Sequence, residues 1–408
     1  MHNNDIKILQ ELAKRFAELA NSPDMERRRD AWFAHNDMKA GKPLVLCFPE
    51  GSWPELLGEE SLLCEDAVAR NYELNLRRKL YWREVIKDDA AQESCFYVYP
   101  AVNLGNYGVE ANYTYGEHRG SYRWEPPIKN LDDDHAKLKY PEPSHDAAET
   151  ERRMEEAKTL FGSILDVKLQ PGVDYWSLGM TNDIIALIGL ENLFVSMYDN
   201  PEGLHRLMAF LRDSKLRLLD WYESQPGLVQ PNNRDGYTGS GGQAYTHSFD
   251  TAPGGSPFKS TWGFAESQET VGVSPRMFGE FIFPYQLPLL QRFGLNCYGC
   301  CEPVHERINY ILQIPNLRRV SVSPWCDQHI MAEKLGRTAV FSRKPNPALI
   351  CASFNEEAAR ADIVSTLEAA KGCNVELVMK DTHTVQDQPW RIARWVQIAR
   401  EEVDRRYG

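Results

Sequence analysis

The chain has 408 residues, of which 42% are hydrophobic and 25% are charged, and its formal net charge is -12. These values are typical of a globular protein, and the acidic balance excludes non-specific binding to nucleic acid, which needs clustered Lys and Arg. No run reaches the roughly 20 apolar residues of a membrane span and no basic leader opens the chain, so we expect a cytoplasmic protein. The nine cysteines are scattered and odd in number, which argues against a disulfide framework.

The first 150 residues are predicted to form an N-terminal helical segment and a cap. Helical patterns cover residues 1 to 40 and about 65 to 88. Between them, a strand-like run from Leu44 to Phe48 ends just before Glu50 and Trp53, so a carboxylate and an indole follow a strand end as candidate substrate-binding residues. Aromatic residues alternate with glycines from about 96 to 124, which indicates an insertion. Its aromatics either line a pocket for a planar substrate or pack the cap, and we favour packing.

The pattern becomes regular after residue 150. Helices are predicted at about 149 to 161 and 201 to 223, and strand-like runs at 228 to 230 and 261 to 265. Trp176 and Asn232 lie next to these elements and are further candidate substrate-binding residues. Ser274 and Pro275 predict a helix start, and prolines at 284 and 288 predict a bend in that helix.

The C-terminal third alternates strands with helices. Repeated units of this kind predict a parallel sheet with right-handed crossovers, and polar residues directly after the strands favour a closed barrel whose strand ends meet at one mouth. We therefore predict an α/β fold: a (β/α)8 TIM barrel over residues 151–408, with residues 1–150 as an N-terminal helical and aromatic-rich cap, the two together forming one continuous domain. The predicted strands lie at about 295 to 299, 319 to 323, 338 to 342 and 375 to 380, and the helices at about 304 to 313, 327 to 335, 355 to 371 and 389 to 405.

Two adjacent thiols and a carboxylate, Cys300, Cys301 and Glu302, follow the strand at 295 to 299. Adjacent side chains of an extended chain point to opposite faces, so both thiols face one pocket only if the backbone turns, as Gly299 favours. Thiolate, carboxylate and imidazole are zinc ligands, and His383 after the last strand supplies the imidazole. The alternatives are that the cysteines are small buried hydrophobes and that the histidine is only a hydrogen-bonding neighbour.

Three further polar residues at predicted strand ends are candidates for catalytic support: Glu266, Gln268 and Asp381. The alternative for the cluster of Glu266, Gln268 and Glu269 is that its carboxylates are solvated residues at the start of a helix. The glycine-rich run from 239 to 242 lacks the lysine and spacing of a P-loop, so we interpret it as a flexible loop over the mouth. The chain contains no Gly-x-Ser-x-Gly elbow, which leaves serine hydrolase chemistry without support.

Four segments together resemble the uroporphyrinogen decarboxylase superfamily, and more narrowly its corrinoid-linked methyltransferase branch: Tyr298 to Pro303, Ser321 to Trp325, Lys344 to Pro347 and Lys380 to Thr384. The resemblance is best from about residue 170 onwards. It implies a barrel that holds zinc at its mouth and a methyl group carried by a separate corrinoid protein. In that branch the ligands are His-x-Cys on one strand end and a later Cys. Tyr298 stands in the place of the His and is a candidate substrate-binding residue, Cys300 matches the first Cys, and His383 lies near the last.

The leading hypothesis is therefore a zinc-dependent methyltransferase that moves a methyl group between a small O- or N-methylated substrate and a corrinoid (cobalamin) protein. A Lewis-acidic zinc would lower the barrier for a poor leaving group. One alternative is a decarboxylase-like lyase, and another is a non-catalytic corrinoid- or tetrapyrrole-binding protein. The oligomeric state is left open, with a homodimer as one candidate.

Overall fold

The structure is a computed structural model that describes residues 1–39, 41–116, 122–170, 173, 178–231, 234–250 and 255–408. Its centre is a six-stranded parallel sheet, which confirms the prediction of an α/β fold. The strands are β1 Leu44–Cys47, β2 Cys95–Val98, β3 Ala101–Asn103, β4 Asn112–Tyr115, β5 Tyr122–Glu125, β6 Ser144–Asp146, β7 Asp166–Leu169, β8 Tyr237–Thr238, β9 Gly242–Gln243, β10 Trp262–Ala265, β11 Leu295–Tyr298, β12 Leu317–Val322, β13 Val340–Arg343 and β14 Asn374–Met379.

Helices precede and separate these strands, and most carry an apolar stripe that packs on the outer face of the sheet. They are α1 Asn3–Ala20, α2 Pro23–Asn36, α3 Trp53–Leu56, α4 Ala67–Tyr81, α5 Ala147–Phe161, α6 Met180–Ile188, α7 Leu190–Asp199, α8 Pro201–Ser224, α9 Pro275–Phe281, α10 Phe283–Leu290, α11 Ile308–Ile311, α12 Gln328–Leu335, α13 Ala348–Cys351, α14 Glu356–Ala369 and α15 Trp390–Tyr407.

The strand order of the central sheet is β1-β14-β13-β12-β11-β10, and β2 and β7 form a separate parallel pair. The sheet thus takes β1 from the first 150 residues and its other strands from the region after residue 260. In the described residues no backbone pairing joins β1 to β2 or β7 to β10. We call these two gaps the first and the second seam. At the first seam, the segment before β2 binds the free edge of β1: the carboxylate of Asp88 accepts from the Cys47 amide at 3.0 Å, that of Asp89 accepts from the Val45 amide at 2.8 Å, and the Asp89 amide donates to the Val45 carbonyl at 2.8 Å.

The two faces of the sheet have different chemistry, because alternate residues of each strand point to opposite sides. On β14, Val375, Leu377 and Met379 belong to the large apolar core beneath the helices, whereas Glu376 and Lys380 lie on the inner face. The inner face is buried but carries charged residues. Such residues are rarely buried without partners.

The hairpin of β8 and β9 covers this inner face. The sequence predicted a flexible loop over the mouth, and that prediction was wrong, since the hairpin is buried from Thr238 onwards. A Cβ atom on Gly241, which has φ +112°, would lie 2.8 Å from Val378 Cγ1, and one on Gly242 would lie 2.5 Å from the Arg319 guanidinium carbon. Glycines are needed here because the backbone of the hairpin lies directly on inner-face side chains.

Three local predictions need correction or refinement. The strand expected at 228–230 is a turn, in which Gly227 has φ +80° and the Leu228 amide bonds to the carbonyl of Gln225. The helix expected at 304–313 consists of a 3₁₀ turn at Val304–Arg307 and the short helix α11. The bent helix after Ser274 divides at Ile282 into α9 and α10, and Ser274 caps its start as predicted.

Candidate functional site at the strand ends

Cys300 and Cys301 lie directly after β11, where Gly299 has φ +90° and turns the backbone. The two Sγ atoms are 3.5 Å apart, so both thiols are on the same side of the turn, as the glycine indicated. Cys300 is buried and Cys301 is partly exposed. The Ser321 hydroxyl of β12 donates to the Cys300 carbonyl at 2.7 Å and fixes this turn to the neighbouring strand.

Lys380, the first residue after β14, lies beside Cys300. Its Nζ is 3.7 Å from Cys300 Sγ and 3.4 Å from Ser240 Oγ of the buried hairpin. The pKa of Cys300 is lowered to about 7, first by the hydrogen bond with Cys301 and then by the Lys380 ammonium, against the opposing effect of burial. Near neutral pH a large fraction of Cys300 is therefore thiolate, which is the nucleophilic form of cysteine.

Asp381 and Glu50 form the exposed side of the site. Cys301 Sγ is 3.4 Å from Asp381 Oδ2, and the Asp381 amide donates to Glu50 Oε2 at 2.8 Å. Both residues have positive φ, +57° for Asp381 and +44° for Glu50, so each strand end turns sharply where it delivers its carboxylate. The structure thus brings together Cys300, Cys301, Asp381 and Glu50 from three strand ends.

Glu302 holds two loops together through its carboxylate. Oε1 accepts from the Ser267 amide at 2.8 Å and from its hydroxyl at 3.2 Å, while Oε2 accepts from the Cys300 amide at 2.8 Å. The residue is fully buried. Its oxygen atoms are therefore used to connect the loop after β10 to the cysteine turn.

Glu266 directly follows β10 and is buried next to other carboxylates. Oε1 accepts from the Thr181 hydroxyl at 3.1 Å, and Oε2 accepts from the Gln268 amide at 2.8 Å. Burial, followed by the charges of Glu302 and Glu269, raises the pKa of Glu266 well above its usual value. The site thus favours the protonated form of Glu266, which is the form that a general acid needs.

Four other predicted site residues lie away from the thiol pair or outside the described residues. Tyr298 is on the outer face, where its hydroxyl donates to Gln286 Oε1 at 2.9 Å, and Trp53 packs against Trp82 and beneath Arg78. Trp176 and Asn232 fall outside the residues that the structure describes.

The predicted zinc ligands do not assemble into one site. His383 is exposed, and its backbone and ring lie against Gly51. Glu302 is occupied by backbone amides, and an ammonium lies beside Cys300 where a dication would add a second positive charge. Across the described parts of the chain, no group of three or more His, Cys, Asp or Glu side chains is placed to hold a metal ion. These residues therefore do not fit the implied zinc.

Two lysines at the site were not identified as candidates from the sequence. Lys380 and Lys344 each follow the last residue of a buried strand on its inner face, and both are almost fully buried. Burial lowers the pKa of Lys344 to about 7, and Lys380 adds to the effect. For Lys380, burial acts in the same direction, but Tyr237 and Cys300 outweigh it and raise its pKa. A lysine that ends an otherwise apolar strand is a usable sequence signal, because lysine is seldom buried without a purpose.

A second charged group lies on the same inner face, nearer the start of the strands. The Arg319 guanidinium donates to both oxygens of Glu376, at 2.9 and 3.2 Å, and His35 Nε2 lies 3.1 Å from Glu376 Oε2. Ser342 also donates to Glu376, and Arg319 donates to Thr238 Oγ1 at 2.6 Å. Although burial opposes it, the charge of Arg319 holds the pKa of Glu376 well below its usual range.

The comparisons with known proteins concern the fold. No protein-family model matches the chain, and no curated protein matches its sequence. A solved structure, a methyltransferase from Methanosarcina mazei, is similar with a TM-score of 0.52 and 10% identity, over 93% of this chain and 99% of that chain. At this identity the likeness shows a shared fold alone.

One finding bears on membranes. Among the described residues no single helix is long and apolar enough to cross a membrane, although α6 and α7, which meet at a 92° bend, meet the criteria of length and composition as a pair.

Proposed function

We propose that this protein is a methyltransferase that moves a methyl group between a small O- or N-methylated substrate and a separate corrinoid protein. The fold it shares with a methyltransferase over nearly its whole length supports the reaction class. We also propose that the six-stranded sheet and the β2–β7 pair together correspond to the eight strands of a (β/α)8 barrel, since they follow one another in barrel order.

The observation that carries the proposal is the buried thiol of Cys300 with Lys380 Nζ 3.7 Å away. A thiolate can attack a methyl carbon, which forms an S–C bond as the bond from that carbon to oxygen or nitrogen breaks. The leaving atom must then gain a proton or a positive neighbour. The Lys380 ammonium, which hydrogen-bonds Tyr237, supplies the positive neighbour, and Glu266 is the proposed proton donor.

The corrinoid belongs to the proposed partner and would accept the methyl group from the open end of the strands. The zinc version of the hypothesis, with Cys300, Cys301, Glu302 and His383 as ligands, remains a prediction from the resemblance, and we derive no step from it. The roles that we propose for this chain's own residues are nucleophile for Cys300, charge stabilisation for Lys380, and proton donation for Glu266.

The test combines activity with metal content. Purified protein is incubated with reduced cobalamin and a panel of O- and N-methylated small molecules, and methylcobalamin is followed by its absorbance. Substitution of Cys300→Ser is expected to reduce the rate by at least about 100-fold. The matched control is Cys373→Ser, a partly buried cysteine whose Sγ contacts the Ala332 carbonyl on the far side of the sheet.

The outcomes separate the versions of the hypothesis. Transfer by metal-free protein supports attack by Cys300, and a methyl group found on Cys300 by peptide mass spectrometry would establish it. Stoichiometric zinc that is lost in both Cys300→Ser and His383→Ala would instead favour the zinc version. If Cys300→Ser is as active as the Cys373→Ser control, the proposed role of the thiol is wrong.

A further inference from the structure

A cavity of about 420 Å³ lies at the second seam, between the end of the β2–β7 pair and β10. Its volume is within the range of about 300–1,000 Å³ that is usual for small-molecule sites. Aromatic rings from four separate segments line it: Tyr97 and Tyr99 from the end of β2, Trp262 and Phe264 from β10, Tyr222 from α8 and Tyr237 from the buried hairpin. Flat side chains on several sides favour a flat ligand.

Arg234 supplies a positive charge to the wall of this cavity. Its side chain hydrogen-bonds to Tyr97, and no salt bridge to it is found within the described parts of the chain. The neighbouring carboxylate, Asp235, is occupied elsewhere, since it accepts from the Tyr97 hydroxyl at 3.2 Å and from the Glu93 amide at 3.1 Å. A guanidinium in an aromatic pocket that contacts no carboxylate among the described residues is suited to bind a carboxylate through two parallel hydrogen bonds.

We propose that this cavity binds a planar aromatic ring bearing a carboxylate, with the ring between the aromatic side chains and the carboxylate on Arg234. The inference goes beyond the proposed methyl transfer, because it requires neither a methyl group nor the thiol. The cavity volume of about 420 Å³ accommodates a one-ring or a two-ring ligand.

The test measures binding of benzoate and 2-naphthoate by isothermal titration calorimetry. At least one of them is expected to bind, and two comparison compounds are expected to bind at least about tenfold more weakly. Cyclohexanecarboxylate keeps the charge but is not flat, and benzamide keeps the ring but is neutral. Failure of both aromatic carboxylates to bind, or equal binding of all four compounds, would overturn the proposal.

Variants locate the site. Arg234→Gln is expected to weaken binding by roughly tenfold or more, and Arg234→Lys to restore part of it. The matched control is Arg276→Gln, a surface arginine of α9 with 80% of its side chain exposed. Tyr99→Ala removes a ring that is 68% exposed, so the variant is expected to fold as the parent protein does. Its preference for the aromatic carboxylates over cyclohexanecarboxylate is expected to fall. Binding unchanged in both Arg234→Gln and Tyr99→Ala would place the ligand elsewhere and refute the proposal.

The result is independent of the proposed function. Cys300→Ser is expected to bind the aromatic carboxylate as the parent protein does, because none of the described residues that line the cavity is a cysteine. If methyl transfer is never observed but Arg234-dependent binding is, the proposed function fails and the cavity assignment stands. If methyl transfer is observed but Arg234-dependent binding is not, the cavity assignment fails and the proposed function stands.

Discussion

Two buried charged groups on the same inner face differ in the chemistry of their contacts and in their position along the strands. The Glu376 carboxylate accepts hydrogen bonds from Ser342 and from two nitrogen atoms of Arg319, at 2.9 and 3.2 Å, and lies 3.1 Å from His35 Nε2. Around Cys300 the contacts to Cys301 and Lys380 are 3.5 and 3.7 Å. The first group, which we call the closed group, is fully hydrogen-bonded and so stabilises the fold. The second, the open group, holds the Cys300 thiol beside the Lys380 ammonium at the strand ends, next to the partly exposed Cys301. The open group therefore places a nucleophilic thiol next to the exposed side of the site.

The largest expected effect concerns the closed group. Glu376→Ala leaves the Arg319 guanidinium buried without its carboxylate, which should lower the free energy of unfolding by about 3–5 kcal/mol. Urea denaturation measures the change. The control is Glu280→Ala, whose exposed partner Arg276 is 3.7 Å away and for which a loss below about 1 kcal/mol is expected. Similar losses in the two variants would remove the basis for treating the Glu376 group as structural.

The pH dependence of the free energy of unfolding, measured on the same two proteins, tests the ion pair further. The pKa of Glu376 is lower in the folded protein than in the unfolded chain, so its contribution to stability is complete above the unfolded value of about 4.3 and is lost as the pH falls below it. The difference in stability between the parent protein and Glu376→Ala should therefore shrink on acidification from pH 5. A difference that stays constant over that range would contradict the ion-pair account.

The hairpin connects the two groups, and the next expected effect tests that link. Thr238 bonds Arg319 of the closed group, and Ser240 contacts Lys380 of the open one. Gly241→Ala adds a methyl group 2.8 Å from Val378 Cγ1 and should cost about 2 kcal/mol or more in unfolding free energy. Gly372→Ala is the matched control, because Gly372 also has positive φ, +92°, but faces open space. Equal losses would mean that backbone conformation alone, and not the contact, sets the cost.

The smallest effect concerns the open group and is a shift in titration. In metal-free protein the Cys300 thiolate, followed by its ultraviolet absorbance relative to Cys300→Ser, should reach half its final value near pH 7. Removing the ammonium in Lys380→Met should raise that midpoint by about one pH unit or more, since a positive neighbour favours the charged thiolate. Lys334→Met, on the exposed face of α12, is the control. A midpoint that is insensitive to Lys380 would leave the Cys301 hydrogen bond as its cause.

The sequence predicted the elements of the C-terminal third closely, because buried parallel strands are short apolar runs between amphipathic helices. It also predicted the shared orientation of Cys300 and Cys301, since Gly299 permits the necessary turn. It could not assign Glu302, because a carboxylate after a strand can bind a metal or accept amide hydrogens. The choice depends on Ser267, which is 35 residues away in the chain. The positions of His383 and Lys380 likewise depend on how one loop turns after β14.

The two seams have a consequence for how this protein can change over evolutionary time. Residues 48–94 lie between β1 and β2, and residues 170–261 lie between β7 and β10, where the described residues contain no strand ladder across the seam. Insertions or deletions in the exposed parts of these segments leave the register of the six-stranded sheet untouched, because those parts pair with none of its strands. Descendants can thus acquire new caps and new ligand preferences at the seams while the cysteine turn keeps its place.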